Sequence, residues 1–303
     1  MNYATINAGF KREIWEFNKT LFWVPFILGA LMILVPILQL LLLQDYQFQN
    51  ISFNLEKIDG ISHPVFFAKA GIALTTGLFM PFLSIALFIQ LYYFTNCLFD
   101  ERRDLSIYFW RSLPVSDTQT VLTKLATGMF VVPGVFCLAA TAVYALALLI
   151  LLITSIVLAV GYDVSIWAFW NEANLISNLA MAWLHIIPLV LWLLPVYAWL
   201  MLASAFAARA PILWAILPVV IVLLVESFIV AYFRLDNRLF ADLLLDYFQV
   251  SRDLLPDELA HGAPSRTSLF TMFSNKISLL GSLLGVAFIG LTLWLRKHRA
   301  EGA

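Results

Sequence analysis

Residues able to do chemistry are few in this chain and far apart. Glu226 stands inside the apolar run Leu223-Leu-Val-Glu-Ser-Phe-Ile-Val230, where an ionised carboxylate costs roughly 2.5 kcal/mol or more unless paired or hydrated. The four histidines, His63, His185, His261 and His298, are scattered and give no metal constellation. No G-x-x-x-x-G-K-[ST] phosphate loop occurs, so the chain cannot itself be an ATPase, and H-E-x-x-H is missing as well. Val160-Gly-Tyr-Asp163 resembles a piece of an intramembrane aspartyl protease, but no second aspartate lies within an apolar segment to share the proton. Cys97 and Cys137 have neither metal nor disulfide spacing and read as packing residues. The densest set of ionisable side chains is the island from Phe99 to Lys124, with Asp100, Glu101, Arg102, Arg103, Asp104, Arg111, Asp117 and Lys124 between two long apolar segments. Such a set reads as a docking surface for a soluble partner.

The elements that must position these residues follow from composition. Of 303 residues 62% are hydrophobic and 12% charged, with a mean hydropathy of +0.89, which defines a polytopic membrane protein. A bilayer core of roughly 30 Å needs about 20 apolar residues per helix. Six segments qualify: Leu21 to Leu43, Ala70 to Phe94, Leu125 to Val160, Leu179 to Phe206, Pro211 to Tyr232 and Ile277 to Leu295. The expected fold is an all-α integral membrane bundle of six spans in a single domain over 1–303. The first segment has no small-residue cleavage site and reads as an uncleaved span. The third is long for one span, about 54 Å as a single helix. A tilted or kinked helix that projects beyond the bilayer is expected; two short spans broken near Pro133-Gly134 are the alternative, and would invert everything downstream.

Charge placement orients the bundle. Lys11, Arg12, Lys19, Arg102, Arg103, Arg111, Lys124, Arg209, Arg296, Lys297 and Arg299 share one side. The other side has Lys57 and Lys69 in its short connections and the remaining five cations in a long loop, which weighs less. Both termini and the charged island are therefore expected in the cytoplasm. A formal net charge of -1 argues against a nucleic-acid partner.

Within the island, Ser116-Asp-Thr-Gln119 has the form of a capping box, and Asp117 complements the dipole of the helix it opens. Pro114 disfavours carrying an earlier helix through Leu113. Two helical pieces are expected, roughly Asp100 to Ser112 and Ser116 onward into the third span. Lys124, about two turns in, would lie along apolar surface and place its ammonium at the headgroups.

Glu101-Arg102, Ser106, Leu113-Pro114-Val115-Ser116 and then Lys124 together resemble the first cytoplasmic loop of type-2 ATP-binding-cassette exporter permeases. The resemblance covers about 25 residues; Leu105 stands where that family often has Gly, and Tyr108-Phe109-Trp110 replaces an aliphatic run. It implies that residues 97–124 carry a coupling helix that sits in a groove of a separate cytoplasmic ATPase. The docking residues would be Asp100, Glu101, Arg102, Arg103, Asp104, Ser106, Arg111, Pro114, Ser116, Asp117 and Lys124. ATP and Mg would belong to two copies of that ATPase, and the membrane half would contain a second permease copy or a paralogue. The implied setting is a bacterial inner membrane.

Two amphipathic stretches agree with this plan. Ile6, Phe10, Ile14 and Phe17 share a helical face in residues 1–20, which suggests an interface helix on the cytoplasmic membrane surface; an ordinary basic flank is the alternative. Phe240, Leu243, Leu244, Tyr247 and Phe248 form a stripe in the loop 233–275, which predicts an external amphipathic helix, either part of a gate or a cover on the bundle. Glu226 lies about 22 Å above Pro211, and His185 about 9 Å below the other end of its span. The matching depths predict a Glu226–His185 pair. An ion-coupled secondary transporter would need more intramembrane ligands and usually an inverted repeat, and neither it nor a non-transporting scaffold explains the island. A lipid, amphiphilic peptide or drug-like substrate suits the aromatic content.

Overall fold

The computed structural model describes residues 3–42, 64–104, 115–161, 166–234, 238–249 and 268–298. All regular structure among them is helical. Six helices are long and apolar enough to cross a membrane: Asn18–Leu38, Val65–Arg103, Asp117–Gly161, Trp167–Trp192, Pro211–Phe233 and Leu279–His298. The fold is thus that of a multi-pass helical membrane protein. Large apolar side chains such as Phe22, Phe88 and Phe228 cover its outside, while Gln90, Lys124 and Glu101 are buried, as expected where lipid is the solvent.

An N-terminal helix, Tyr3–Glu16, leads almost without interruption into the first span. Phe17 donates its N–H to the Glu13 carbonyl and Leu21 donates to that of Phe17, at 3.1 and 2.9 Å. The third span is one continuous helical rod, not two short spans. It runs as Asp117–Ala126, a π-turn at Thr127–Val131, then Val132–Gly161. The reason for the π-turn lies just beyond it: Pro133 has no N–H, and its ring would press on the carbonyl four residues back, so the helix widens there. At 1.5 Å per residue the rod is about 67 Å long, well over a bilayer core.

Proline also shapes the fourth span. Beyond Trp167–Glu172 its helix runs as Leu175–Leu184 and Ile186–Trp192 and is prolonged by the shorter apolar helix Leu194–Phe206, counted here with the fourth span, with joints at His185 and Leu193. Pro188 follows the first joint and Pro195 the second, each removing a ladder hydrogen bond. Leu194–Phe206 packs along the last helix, Leu279–His298, where small residues permit close approach. A Cβ on Gly285 would stand 3.2 Å from Leu194 Cγ. The fifth span, Pro211–Phe233, is peripheral; only Pro211 and Ala215 are buried, and Trp199 Nε1 donates to the Ala215 carbonyl at 3.0 Å.

The centre is aromatic. Phe94 stacks on Tyr197 with centroids 4.7 Å apart, and Phe82, Phe136 and Tyr144 are fully buried nearby. Gly128, in the π-turn, lies so close to Phe94 that a Cβ would come within 2.3 Å of the ring. One polar thread crosses this core: Tyr197 donates its O–H to Gln90 Oε1 at 3.0 Å, and Gln90 Nε2 donates to the Gly128 carbonyl at 2.9 Å. The amide thereby satisfies a backbone group that the widened turn has set free.

Candidate functional site

The charged island begins with a short helix, Phe99–Arg103, at the end of the second span. So short a helix cannot hold itself, and the fourth span anchors it. Ser204 Oγ accepts from the N–H groups of Leu98 and Phe99, both at 3.0 Å. In return Arg102 Nη2 donates to the carbonyls of Ser204 and Ala207, at 2.6 and 2.8 Å. The guanidinium therefore occupies the C-terminal end of Leu194–Phe206, where unpaired carbonyls and the helix dipole favour a cation.

Glu101, 4% exposed, is the hub of a buried charge node. Its Oε1 accepts from Arg12 Nη2 at 2.8 Å and lies 3.3 Å from Lys124 Nζ; its Oε2 accepts from Arg296 Nη1 at 2.9 Å. Lys124 donates to Glu13 Oε1 at 2.8 Å, and Tyr93 donates its O–H to Glu13 Oε2 at 2.8 Å. Arg296 Nε donates to Asp117 Oδ1 at 2.8 Å. Arg12 Nε donates to Glu16 Oε1 at 2.9 Å on the rim. Three cations, Arg12, Lys124 and Arg296, thus face three interior carboxylates, Glu13, Glu101 and Asp117. Burying charge is tolerable only with such matching. The node fastens the N-terminal helix to the second, third and sixth spans, and Arg102 with Ser204 adds the fourth.

The island's residues therefore divide. Glu101, Arg102, Asp117 and Lys124 face inward, and Lys124 does not reach for headgroups because two carboxylates inside the fold hold its ammonium. Arg103 remains exposed, with local partners Asp100 at 3.3 Å and Asp104 at 3.0 Å. The start of the third span carries the serine half of the capping box: Ser116 Oγ accepts from the Gln119 N–H at 3.2 Å. Ser106, Arg111 and Pro114, and with them most of the first expected helical piece, lie outside the described residues.

The expected Glu226–His185 pair is replaced by a different arrangement. Both Glu226 oxygens are held by the start of an amphipathic helix, Leu239–Phe248: Oε1 accepts from the Phe240 N–H at 2.5 Å and Oε2 from the Ala241 N–H at 2.8 Å. These are unsatisfied donors of a helix N-terminus, so the carboxylate acts as a cap supplied by another helix. Depth along the axis predicted His185 because it ignores rotation about the axis and the chain that folds back from the end of the span. The same helix is fixed at its other end by the Tyr247 hydroxyl, which donates to the Trp192 carbonyl, and by Lys276 Nζ on the Asp246 carbonyl. Its buried face is narrower than the expected stripe: Phe240, Leu244 and Tyr247 are half-buried, while Leu243 and Phe248 are exposed.

Arg12, Glu13, Tyr93, Ser204 and Arg296 had not been singled out by pattern as site residues. Tyr93 and Ser204 lie in or at the end of apolar helices, where a polar group needs a partner; that was the available signal. Arg12 and Arg296 read from the sequence as orienting charge, which names no contacts, and Glu13 is an acid on the polar side of the N-terminal helix.

Fold and site together define a multi-pass helical membrane protein whose spans are joined at one end by a buried ionic node. Comparison with protein-family models, curated proteins and solved structures finds no match for the chain.

Proposed function

We propose that this chain is the membrane-spanning subunit of an ATP-driven exporter, coupled to a separate ATPase. One observation carries the reading: the proposed coupling loop, 97–124, starts in a helix anchored on the fourth span and ends in the helix that opens at Ser116, and both helices enter the same charge node. A partner that pushed on this loop would move the N-terminal helix and the second, third, fourth and sixth spans together. The rest of the bundle would then reorient around a pathway at the interface between the two membrane subunits.

In this reading the node end faces the cytoplasm, where Lys11, Lys19, Arg209 and Lys297 are exposed. Arg103, Asp100 and Asp104, with Ser106 and Arg111 from the loop, meet the ATPase. ATP and Mg are bound by two copies of that partner and not by this chain, and a second permease copy or a paralogue completes the membrane half. The cargo class is a lipid, an amphiphilic peptide or a drug-like molecule. The inner membrane of a bacterium is the proposed location.

The test is purification from the native membrane in mild detergent, followed by identification of bound proteins. A stoichiometric soluble protein with a phosphate-loop lysine is expected, and its recovery should fall in Arg103→Glu, which leaves the node intact. Recovery of the chain alone, repeated under crosslinking, refutes the reading.

A further inference from the structure

The N-terminal helix has two faces, and the node uses one. Arg12 and Glu13 point inward, whereas Lys11, Trp15 and Lys19 recur at four-residue spacing on the outside. Helical hydrogen bonds continue from Glu13 through Phe17 to Leu21, so these three residues form one stripe despite the turn at Phe17. Trp15 is 80% exposed, and both lysines are exposed without an ion-pair partner among the described residues. Glu16, the nearest carboxylate in sequence to Trp15, is turned toward Arg12 at 2.9 Å, and the stripe itself contains two lysines and no acid. The stripe therefore carries net positive charge. Immediately beyond Lys19 the same side turns apolar and aromatic, with exposed Phe22, Trp23 and Phe26.

We propose that Lys11, Trp15 and Lys19 form a binding face for the headgroups of anionic phospholipids. The chemistry fits that occupant. An amphipathic indole favours the boundary between hydrocarbon and water, and lysines just outside a span attract anionic lipid while a zwitterionic surface offers them no net charge. Because Glu13 and Arg12 leave the opposite face for the node, a lipid headgroup on the outer face presses the helix onto Lys124 and Glu101. Membrane charge thereby controls how firmly the node is closed. This inference does not depend on the transport reading.

The experiment compares nanodiscs of phosphatidylcholine with nanodiscs of equimolar phosphatidylcholine and phosphatidylglycerol, reading hydrogen exchange over Tyr3–Glu16. Attraction of about 1 kcal/mol per lysine corresponds to about fivefold slower exchange for each and about 30-fold for the pair. The anionic lipid should slow exchange in the wild type by an amount of that order. Lys11→Gln with Lys19→Gln should abolish the difference, while Arg209→Gln, a basic residue at the same end, should keep it. No effect of phosphatidylglycerol on the wild type overturns the proposal, as does an effect that survives the double variant or is lost equally in Arg209→Gln.

Discussion

Lys124→Met is the sharpest perturbation of the node. It keeps a flexible apolar stem of similar length and deletes one charge. Glu13 then loses its only cation among the described residues, at 2.8 Å, and retains the Tyr93 hydroxyl. Glu101 loses a more distant contact, at 3.3 Å, and keeps Arg12 and Arg296. Nearly all of the cost therefore falls on Glu13, which is 2% exposed and cannot recover water as a partner. Stranding one member of a buried pair costs about 3–5 kcal/mol. Adding Glu13→Gln removes the stranded charge and should restore about 2 kcal/mol, a non-additivity of the size expected for groups in direct contact. The assay is reversible unfolding in mixed micelles of increasing SDS, followed through the fluorescence of the ten tryptophans. A loss below about 1 kcal/mol for Lys124→Met, or no recovery in the double variant, would refute the argument that the node is a matched set of buried charges.

Other substitutions probe the remaining contacts. Glu226→Ala should cost about 1 kcal/mol, the usual value of a lost cap, and speed hydrogen exchange at Phe240 and Ala241, whereas His185→Ala should leave those amides unchanged. Gln90→Leu strands the Tyr197 hydroxyl and the Gly128 carbonyl together and should destabilise by about 2–4 kcal/mol in the same unfolding assay. Gly128→Ala drives a methyl into the Phe94 ring and should cost about 1–3 kcal/mol. Arg102→Glu places a carboxylate against the Ser204 and Ala207 carbonyls and should lower the SDS midpoint clearly, while Arg103→Glu should not move it.

Six helices were legible because a span is a local property: twenty apolar residues in a row need no partner to be recognised. The cap at Ser116 and the helix over Leu239–Phe248 were visible for the same reason, since each is written in adjacent residues. The node was not. Glu13, Glu101, Lys124 and Arg296 come from four distant stretches, and nothing in linear spacing tells an inward-facing charge from a solvated one. Glu226 marks the boundary between the two cases. Its need for a partner was readable from its apolar sequence neighbours, but the partner proved to be two backbone N–H groups, which every sequence contains and none advertises. The π-turn belongs with these misses, although Pro133 was its visible cause.

The order in which the chain is made gives the node a further significance. Arg12 and Glu13 are synthesised first, then Glu101, then Asp117 and Lys124, and Arg296 only with the final helix. Until that helix arrives, Glu101 Oε2 and Asp117 lack the guanidinium that both share in the finished fold. Closing the node is thus coupled to docking of the helix Leu279–His298. Before that step two carboxylates where the second and third spans meet lack the counter-charge they share, so the bundle gains one of its firmest joints only late.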